Sequence, residues 1–429
     1  MFMYDKKISM RAAGLAALVA AVLFLQLCGT ACFSTPTRQS EGDEGSHTAG
    51  ASAETGRSLP VATLSDLLPE PGEGVSTSAK AHVLIEATSG AILAQRHADT
   101  RLPMASTTKI MTALVALESL PPDTPVQITD ASVGIEGSSI YLSQGETLTL
   151  EDLLYALLLE SANDAAVAIA IAVSGSVEAF AEEMNRRATR LGLTDTHFVN
   201  PHGLDAESHY TTAYELALIT QEALRNPDFR RIVSTQKKII PLRGTEGVRL
   251  LLNHNRLLRD YEGCIGVKTG FTKHTGRCLV SAADRDGVTL IAVTLGAPDD
   301  WKDHRNLLDY GFSQLEAVRL TDIENRWQTE QIPLWLVSGT RAYTLVSCPE
   351  ELTVILPRKR GKIHSVTELP RFAFAPVAEG QVLGQLVWYL DTANGRICIG
   401  KVPLQAQCAA EEITYRQSLL DRLRTLLKS

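Results

Sequence analysis

A long helical stretch set between two groups of strand patterns constrains this chain more than any other feature. The first group begins at Ala81: Val83 and Ile85 fall at alternate positions, Thr88-Ser89-Gly90 is a turn, and Ile92-Leu93 resumes the apolar pattern, which predicts a hairpin. Ser106 then opens a helix whose apolar face is Ile110, Met111, Leu114 and Leu117. Residues 149–186 read as strongly helical, with a capping-box-like Thr149-x-x-Asp152 at their start. Past about 228 the periods shorten. Segments 239–242, 248–252, 264–269, 278–282 and 289–295 read as strands separated by Gly and charged turns, and a helix over 299–316 closes the region. Two early strands, a helical insertion and several late strands predict one α+β domain over 80–317.

A second change of character follows. Over 318–408 short strands recur at 335–337, 344–346, 353–356, 385–389 and 397–402, with turn signals between them, predicting a small all-β domain of the sandwich type. Its basic run, Arg358-Lys359-Arg360-x-Lys362, reads as a solvated hairpin tip. The segment 409–429 is amphipathic: Ile413, Leu419, Leu420, Leu423, Leu426 and Leu427 share one helical face, with Arg416, Arg422, Arg424 and Lys428 around it. Such a helix either lies in a membrane interface or packs on its own domain.

At the other end, Lys6, Lys7 and Arg11 precede an apolar run over 12–28, and Gly29-Thr30-Ala31 places small residues before a cut after Ala31. This is the pattern of an export signal over 1–31, and the run sits at the short end of the ~17–25 residues that span a bilayer. Cys32 would then head the mature chain, but Gly29 stands where a lipoprotein signal has a larger aliphatic residue. Residues 32–79, rich in Ser, Thr, Gly, Glu and Pro, read as a flexible linker in which Leu64, Leu67 and Leu68 dock locally. With 45% hydrophobic and 21% charged residues the rest is ordinary globular material. A net charge of −8 with no Lys/Arg stripe argues against a nucleic-acid partner.

Chemistry concentrates in three short motifs. In Ser106-Thr107-Thr108-Lys109, residues i and i+3 share a helix face, so a lysine amine of lowered pKa can take the serine proton. The spacing alone is weak, since Ser234-x-x-Lys237 repeats it in a polar, strand-like stretch. Ser161-Ala162-Asn163 interrupts two apolar helices and predicts a buried inter-helix turn whose hydroxyl and amide relay a proton and bind a substrate amide; the plain alternative is a helix N-cap. Lys268-Thr269-Gly270 ends a strand, where a cation and a hydroxyl suit a substrate carboxylate and Gly permits close approach, unless it is merely an edge lysine before a turn.

The order of these motifs, with Pro103-Met-Ala-Ser-Thr-Thr-Lys, Glu136-Gly-Ser-Ser-Ile-Tyr-Leu, Asn200-Pro-His-Gly-Leu-Asp, His209-Tyr-Thr-Thr and Gly266-Val-Lys-Thr-Gly-Phe-Thr, resembles the D-alanyl-D-alanine carboxypeptidases, the low-molecular-mass penicillin-binding proteins. The resemblance implies a β-lactamase/transpeptidase-like domain: an antiparallel sheet with helices on both faces and a helical insertion. It implies that Ser106 attacks the peptide bond between two D-alanines of a peptidoglycan stem peptide, with Lys109 as base. Ser161 and Asn163 would assist proton transfer and orient the substrate, Lys268 and Thr269 would hold the terminal carboxylate, and Gly270 would let the substrate approach. The backbone N–H groups of Ser106 and Phe271 would form the oxyanion hole. β-Lactams would acylate Ser106, no metal or other cofactor would be needed, and residues 409–429 would anchor the exported protein to the membrane surface. Cys264, before Ile265-Gly266, and Phe271 depart from the expected pattern.

Three rival readings differ in stated ways. A class A β-lactamase needs a deacylating Glu between the second and third motifs, and 198–205 contains none. A DD-endopeptidase would act on cross-linked peptide at the same site, a reading that a missing β-domain would favour. A non-enzymatic wall-binding protein would have no use for complete motifs. Export also permits disulfides, and a cut after Ala31 leaves six cysteines. Cys264 and Cys278 would be offset by about three positions, or ~10 Å, too far to bridge. Cys348 and Cys398 are the expected pair.

Overall fold

The computed structural model describes residues 60–72, 74–242, 247–323 and 331–413. The export signal expected over 1–31, the linker up to 59 and the tail over 414–429 lie outside the described residues.

A short helix α1 (Leu64–Leu67) precedes the hairpin of β1 (Ala81–Glu86) and β2 (Ile92–Arg96). A 3-10 turn at Ala105–Thr108 runs into α2 (Lys109–Ser119). The ribbon β3 (Pro125–Gln127) and β4 (Thr147–Thr149) leads to α3 (Leu150–Leu159), α4 (Asn163–Ser174), α5 (Val177–Arg190), α6 (Ala213–Arg225) and α7 (Pro227–Val233). A second ribbon, β5 (Lys237–Pro241) and β6 (Val248–Leu252), follows. Then come β7 (Cys264–Thr272), β8 (Gly276–Arg285), β9 (Val288–Leu295) and α8 (Asp300–Gln314). The five-stranded sheet has the order β2, β1, β9, β8, β7, and every pair in it is antiparallel.

All of β1 is buried, because both faces of this sheet are covered. Val83, Ile85, Ile291, Val293 and Val280 pack into the helical insertion. Leu84, Leu290, Ala292 and Leu279 pack on Leu307 and Leu308 of α8 from the other side. The expected antiparallel sheet with helices on both faces is therefore present, and ribbon β5–β6 stands apart from it. Sequence patterns also located α3, whose capping box forms as expected: Asp152 N–H donates to Thr149 Oγ1 at 3.1 Å, and Thr149 N–H to the Asp152 carboxylate at 3.4 Å.

The remaining strands are β10 (Leu315–Arg319), β11 (Ile332–Val337), β12 (Tyr343–Ser347), β13 (Thr353–Pro357), β14 (Ile363–Glu368), β15 (Phe372–Phe374), β16 (Val382–Thr392) and β17 (Gly395–Ala406). Six form a sheet in the order β14, β16, β17, β12, β11, β15, while β10 pairs with β13. Leu320 and Leu356 close over Leu386, Trp388, Ile399 and Val402, so the ribbon and the sheet share one core.

Five expectations need correction. The end of the segment read as flexible linker is ordered over more than its leucines, which dock as expected: Leu64 and Leu68 pack under the five-stranded sheet, Leu67 joins the β-domain core, and Ala62 N–H donates to Cys398 O. The basic run is not a hairpin tip. It links β13 to β14, which pair with different strands, and Arg358 and Arg360 both ion-pair with Glu316 of β10. Cys348 and Cys398 are both free. Ser347 pairs with Gln405, so Cys398 lies six or seven positions further along β17, roughly 20 Å at strand rise. Cys264 and Cys278 are also free, and more offset than expected: Cys264 faces Ala283, five positions from Cys278, because β7 and β8 continue further towards their turn. Finally, residues 409–413 do not begin a helix. Ala410 bridges Val377 and Glu412 bridges Gly339.

Candidate active site

Ser106 sits in the 3-10 turn, and the α-helix expected to open there starts only at Lys109. Ala105, at a φ of 48°, turns the chain sharply just before it. Ser106 and Lys109 still meet: Lys109 Nζ lies 3.1 Å from Ser106 Oγ. The amine is fully buried and donates to Asn163 Oδ1 at 2.7 Å and to the carbonyl of His202 at 2.5 Å. Burial holds Lys109 well below the usual lysine range, the Lys268 cation adds to this, and Asp164 opposes it.

Ser161 and Asn163 occupy the buried turn between α3 and α4, with Ser161 at a φ of 60°. Neither is the N-cap: that position belongs to Ala162, whose side chain caps nothing. Asn163 Nδ2 instead donates to Glu136 O at 2.6 Å, and its backbone N–H donates to Ser138 O at 2.7 Å. The Asp164 carboxylate receives Ser139 Oγ at 2.6 Å and Leu142 N–H at 3.1 Å. Two residues of α4 thus hold the 136–142 loop against the site. At Gly137, with φ 92°, any Cβ would come within 2.7 Å of Asn163 Nδ2.

Lys268 is buried on edge strand β7, and its Nζ donates to Thr269 O at 2.9 Å. Burial pushes its pKa down to about 7. Gly270 lies within the strand rather than in a turn. A Cβ there would stand 3.1 Å from Ser106 N and 3.2 Å from Met104 O, so glycine lets β7 close on the Ser106 turn. Phe271 is 63% exposed. A cleft of about 360 Å³ is lined by Ser106, Ser138, Ser161, Thr269, Gly270 and Phe271, with His254, Arg277, Asp300 and Trp301 completing its rim. Lys109, Asn163 and Lys268 stand behind this lining. A larger cavity, about 590 Å³, reaches His209 but includes none of the three motifs. The decoy pair stays apart in role: Ser234 donates to Arg231 O, and exposed Lys237 begins β5.

The segment 200–209 contributes more than motif reading assigned to it. Asn200 Oδ1 accepts the N–H groups of His202 and Gly203, and this turn presents the His202 carbonyl to Lys109. Thr112 Oγ1 donates to Pro201 O. His209 supports the Ser106 turn from below. Val199 N–H donates to His209 Nδ1 at 3.0 Å, so Nε2 carries the hydrogen and donates to Thr108 Oγ1 at 2.7 Å. Thr108 Oγ1 in turn donates to Ala105 O at 2.8 Å. Burial pushes His209 down to about 4, so the ring is neutral.

A serine hydroxyl against a buried lysine amine, beside a Lys-Thr-Gly strand on this antiparallel sheet, defines the Ser-x-x-Lys class of serine hydrolases. Comparison with known proteins narrows the class. Residues 69–299 match the family model of the D-alanyl-D-alanine carboxypeptidases, Peptidase_S11. The D-alanyl-D-alanine carboxypeptidase DacF of Bacillus subtilis is 32% identical over 346 residues, 78% of this chain and 85% of its own length. DacC of Escherichia coli is 32% identical over 339 residues, 74% of this chain and 82% of its own. Penicillin binding protein 5 of Haemophilus influenzae superposes with a TM-score of 0.57 at 27% identity, over 79% of this chain and 99% of that one. The Streptomyces K15 DD-transpeptidase matches only 56% of this chain but 99% of itself, with a TM-score of 0.54 and 34% identity. The chain belongs to the D-alanyl-D-alanine carboxypeptidase family.

Proposed function

We propose that Ser106 is the nucleophile that removes the terminal D-alanine from peptidoglycan stem pentapeptides, with Lys109 as its general base. One observation carries this reading: the Lys109 amine is fully buried 3.1 Å from Ser106 Oγ, where burial and the Lys268 cation favour its neutral form. In that form Asn163 Oδ1 and the His202 carbonyl take two N–H bonds, which leaves the nitrogen lone pair for the Ser106 hydroxyl. Lys109 takes the hydroxyl proton as Oγ attacks the carbonyl between the two D-alanines. The backbone N–H groups of Ser106 and Phe271 receive the oxyanion, an assignment supported by the packing of Gly270 on the Ser106 turn. The C–N bond then breaks, the departing amine takes a proton through Lys109 and Ser161, and an ester on Ser106 remains. Water hydrolyses it. Asn163 orients the substrate amide, while Thr269 on the cleft wall and the Lys268 cation behind it hold the terminal carboxylate. A β-lactam enters as a substrate mimic and leaves Ser106 acylated.

Residues 80–317 are the catalytic domain in this reading and 318–408 the C-terminal β-domain. Residues 1–31 direct export, and the tail within 409–429 holds the enzyme at the outer face of the membrane. The test combines a fluorescent penicillin with a stem pentapeptide ending in D-Ala-D-Ala. A long-lived adduct, lost in Ser106→Ala, and released D-alanine are expected. Rapid turnover of the penicillin, or no labelling, overturns the proposal.

A further inference from the structure

The outer face of the β-domain carries a patch that the chemistry above does not use. Along β11 the side chains alternate, so that Leu334 and Leu336 are buried while Trp335 and Val337 point outwards. Register places Trp335 opposite Tyr343 on β12 and opposite Phe372 on β15, and Val337 opposite Phe374. Trp335 is 61% exposed and Phe374 67%, with Tyr343 and Phe372 each at 48%. Four aromatic rings therefore share one face at the β15 edge of the sheet. Isolated exposed apolar residues need no explanation, but a contiguous aromatic face does.

We propose that this face is a membrane contact: Trp335, Tyr343, Phe372 and Phe374 seat the β-domain in the headgroup region of a phospholipid bilayer. The inference rests on the reading of the tail as an anchor, and the position of the chain's exit carries it further. Ile413 N–H donates to Ser338 O, and Glu412 bridges Gly339, so the chain leaves the domain beside Val337, at the end of the aromatic face. An anchor beginning there brings this face to the bilayer. The ring chemistry agrees. Tryptophan and tyrosine suit the boundary between water and acyl chains, and phenylalanine supplies apolar depth without a polar handle. Exposed Arg341 and Arg371 flank the patch and can meet lipid phosphates, while Glu411 and Glu412 keep the exit strand at the water side. A glycan platform fits less well, because stacked sugars need ring faces side by side. Trp335 and Tyr343 are inclined at 76°, and Phe372 and Phe374 at 88°.

The test uses the full chain with vesicles of phosphatidylethanolamine and phosphatidylglycerol carrying brominated acyl chains. Co-sedimentation and quenching of tryptophan emission are expected, and Trp335→Phe should remove at least half of the quenching. Phe372→Ser with Phe374→Ser should lower the partition coefficient at least roughly tenfold with penicillin labelling and the urea unfolding curve unchanged, which shows that both domains are folded. Co-sedimentation with quenching indifferent to Trp335→Phe overturns this proposal and leaves the anchor standing. Absence of co-sedimentation overturns both. Patch-dependent binding to isolated glycan strands, with none to vesicles, assigns the face to sugar and overturns it as well.

Discussion

Lys109 can accept a proton only if it carries none to begin with. An exposed lysine is protonated at neutral pH, and two neighbours decide how far this one departs from that state. Burial acts first, and the Lys268 cation acts second in the same direction. Lys268 itself is pushed down to about 7, so its charge is present in the acid range and fades above neutrality. Replacing it by methionine removes the repulsion and lets Lys109 hold its proton to a higher pH. The acid limb of the pH profile for penicillin acylation should therefore move to higher pH in Lys268→Met. Lys268→Arg, which keeps a charge, should leave the limb in place. A profile that is lower but unshifted in Lys268→Met would confine Lys268 to carboxylate binding.

Between residue and fold stands the 200–204 turn, which straps the Ser106 and Lys109 segment. Gly203 has a φ of 88°, and a Cβ on it would lie 2.0 Å from Ala105 O. Alanine there forces apart two backbones as well as straining its own. Gly203→Ala should cost roughly 2–4 kcal/mol of stability and more than tenfold in acylation rate, read by denaturant unfolding and by penicillin labelling. Gly175→Ala, also at positive φ but with open space around it, should pay the backbone strain alone and label normally. This strap also shows where sequence reading stops. The three motifs were legible because each is local: Ser106 and Lys109 are three apart, and the capping box of α3 closes within four residues. The His209 bond to Thr108 joins residues 101 apart, and the His202 bond to Lys109 spans 93. No period or spacing marks such pairs, although the family resemblance had already included the stretches that hold both histidines. Pairing register was equally hidden, which is why Cys348 and Cys398 looked like partners and are not. The fold class was legible because the change from period 2 to period 3.6 and back is a property of whole segments.

At the scale of the whole molecule, burial keeps three histidines uncharged, two beside the Ser106 turn and one between the sheet and α8. His209 is pushed down to about 4, and His202 and His304 to about 3, in each case mainly by burial. His304 Nε2 meets Thr294 Oγ1 between sheet and α8, so these three rings lie on both sides of the five-stranded sheet. In the unfolded chain an imidazole titrates near 6.5. Between that value and the folded one the unfolded chain binds protons that the folded chain does not, so stability rises with pH across the interval. The contribution is complete above about pH 6.5 and is lost as pH falls towards 4 and then 3. Three such groups give a slope of up to about 4 kcal/mol per pH unit between pH 4 and 6, on the scale of the entire stability of an ordinary domain. Acid should therefore unfold this enzyme well before its carboxylates are fully protonated. His209→Gln keeps an N–H for Thr108 Oγ1 and removes the titrating ring. Urea unfolding at pH 4.5, 5.5 and 6.5 should show its slope against pH reduced by about 1 kcal/mol per unit relative to the natural chain. An unchanged slope would mean that His209 is protonated in the folded state, and then the relay from Val199 through His209 to Thr108 could not run in the direction drawn.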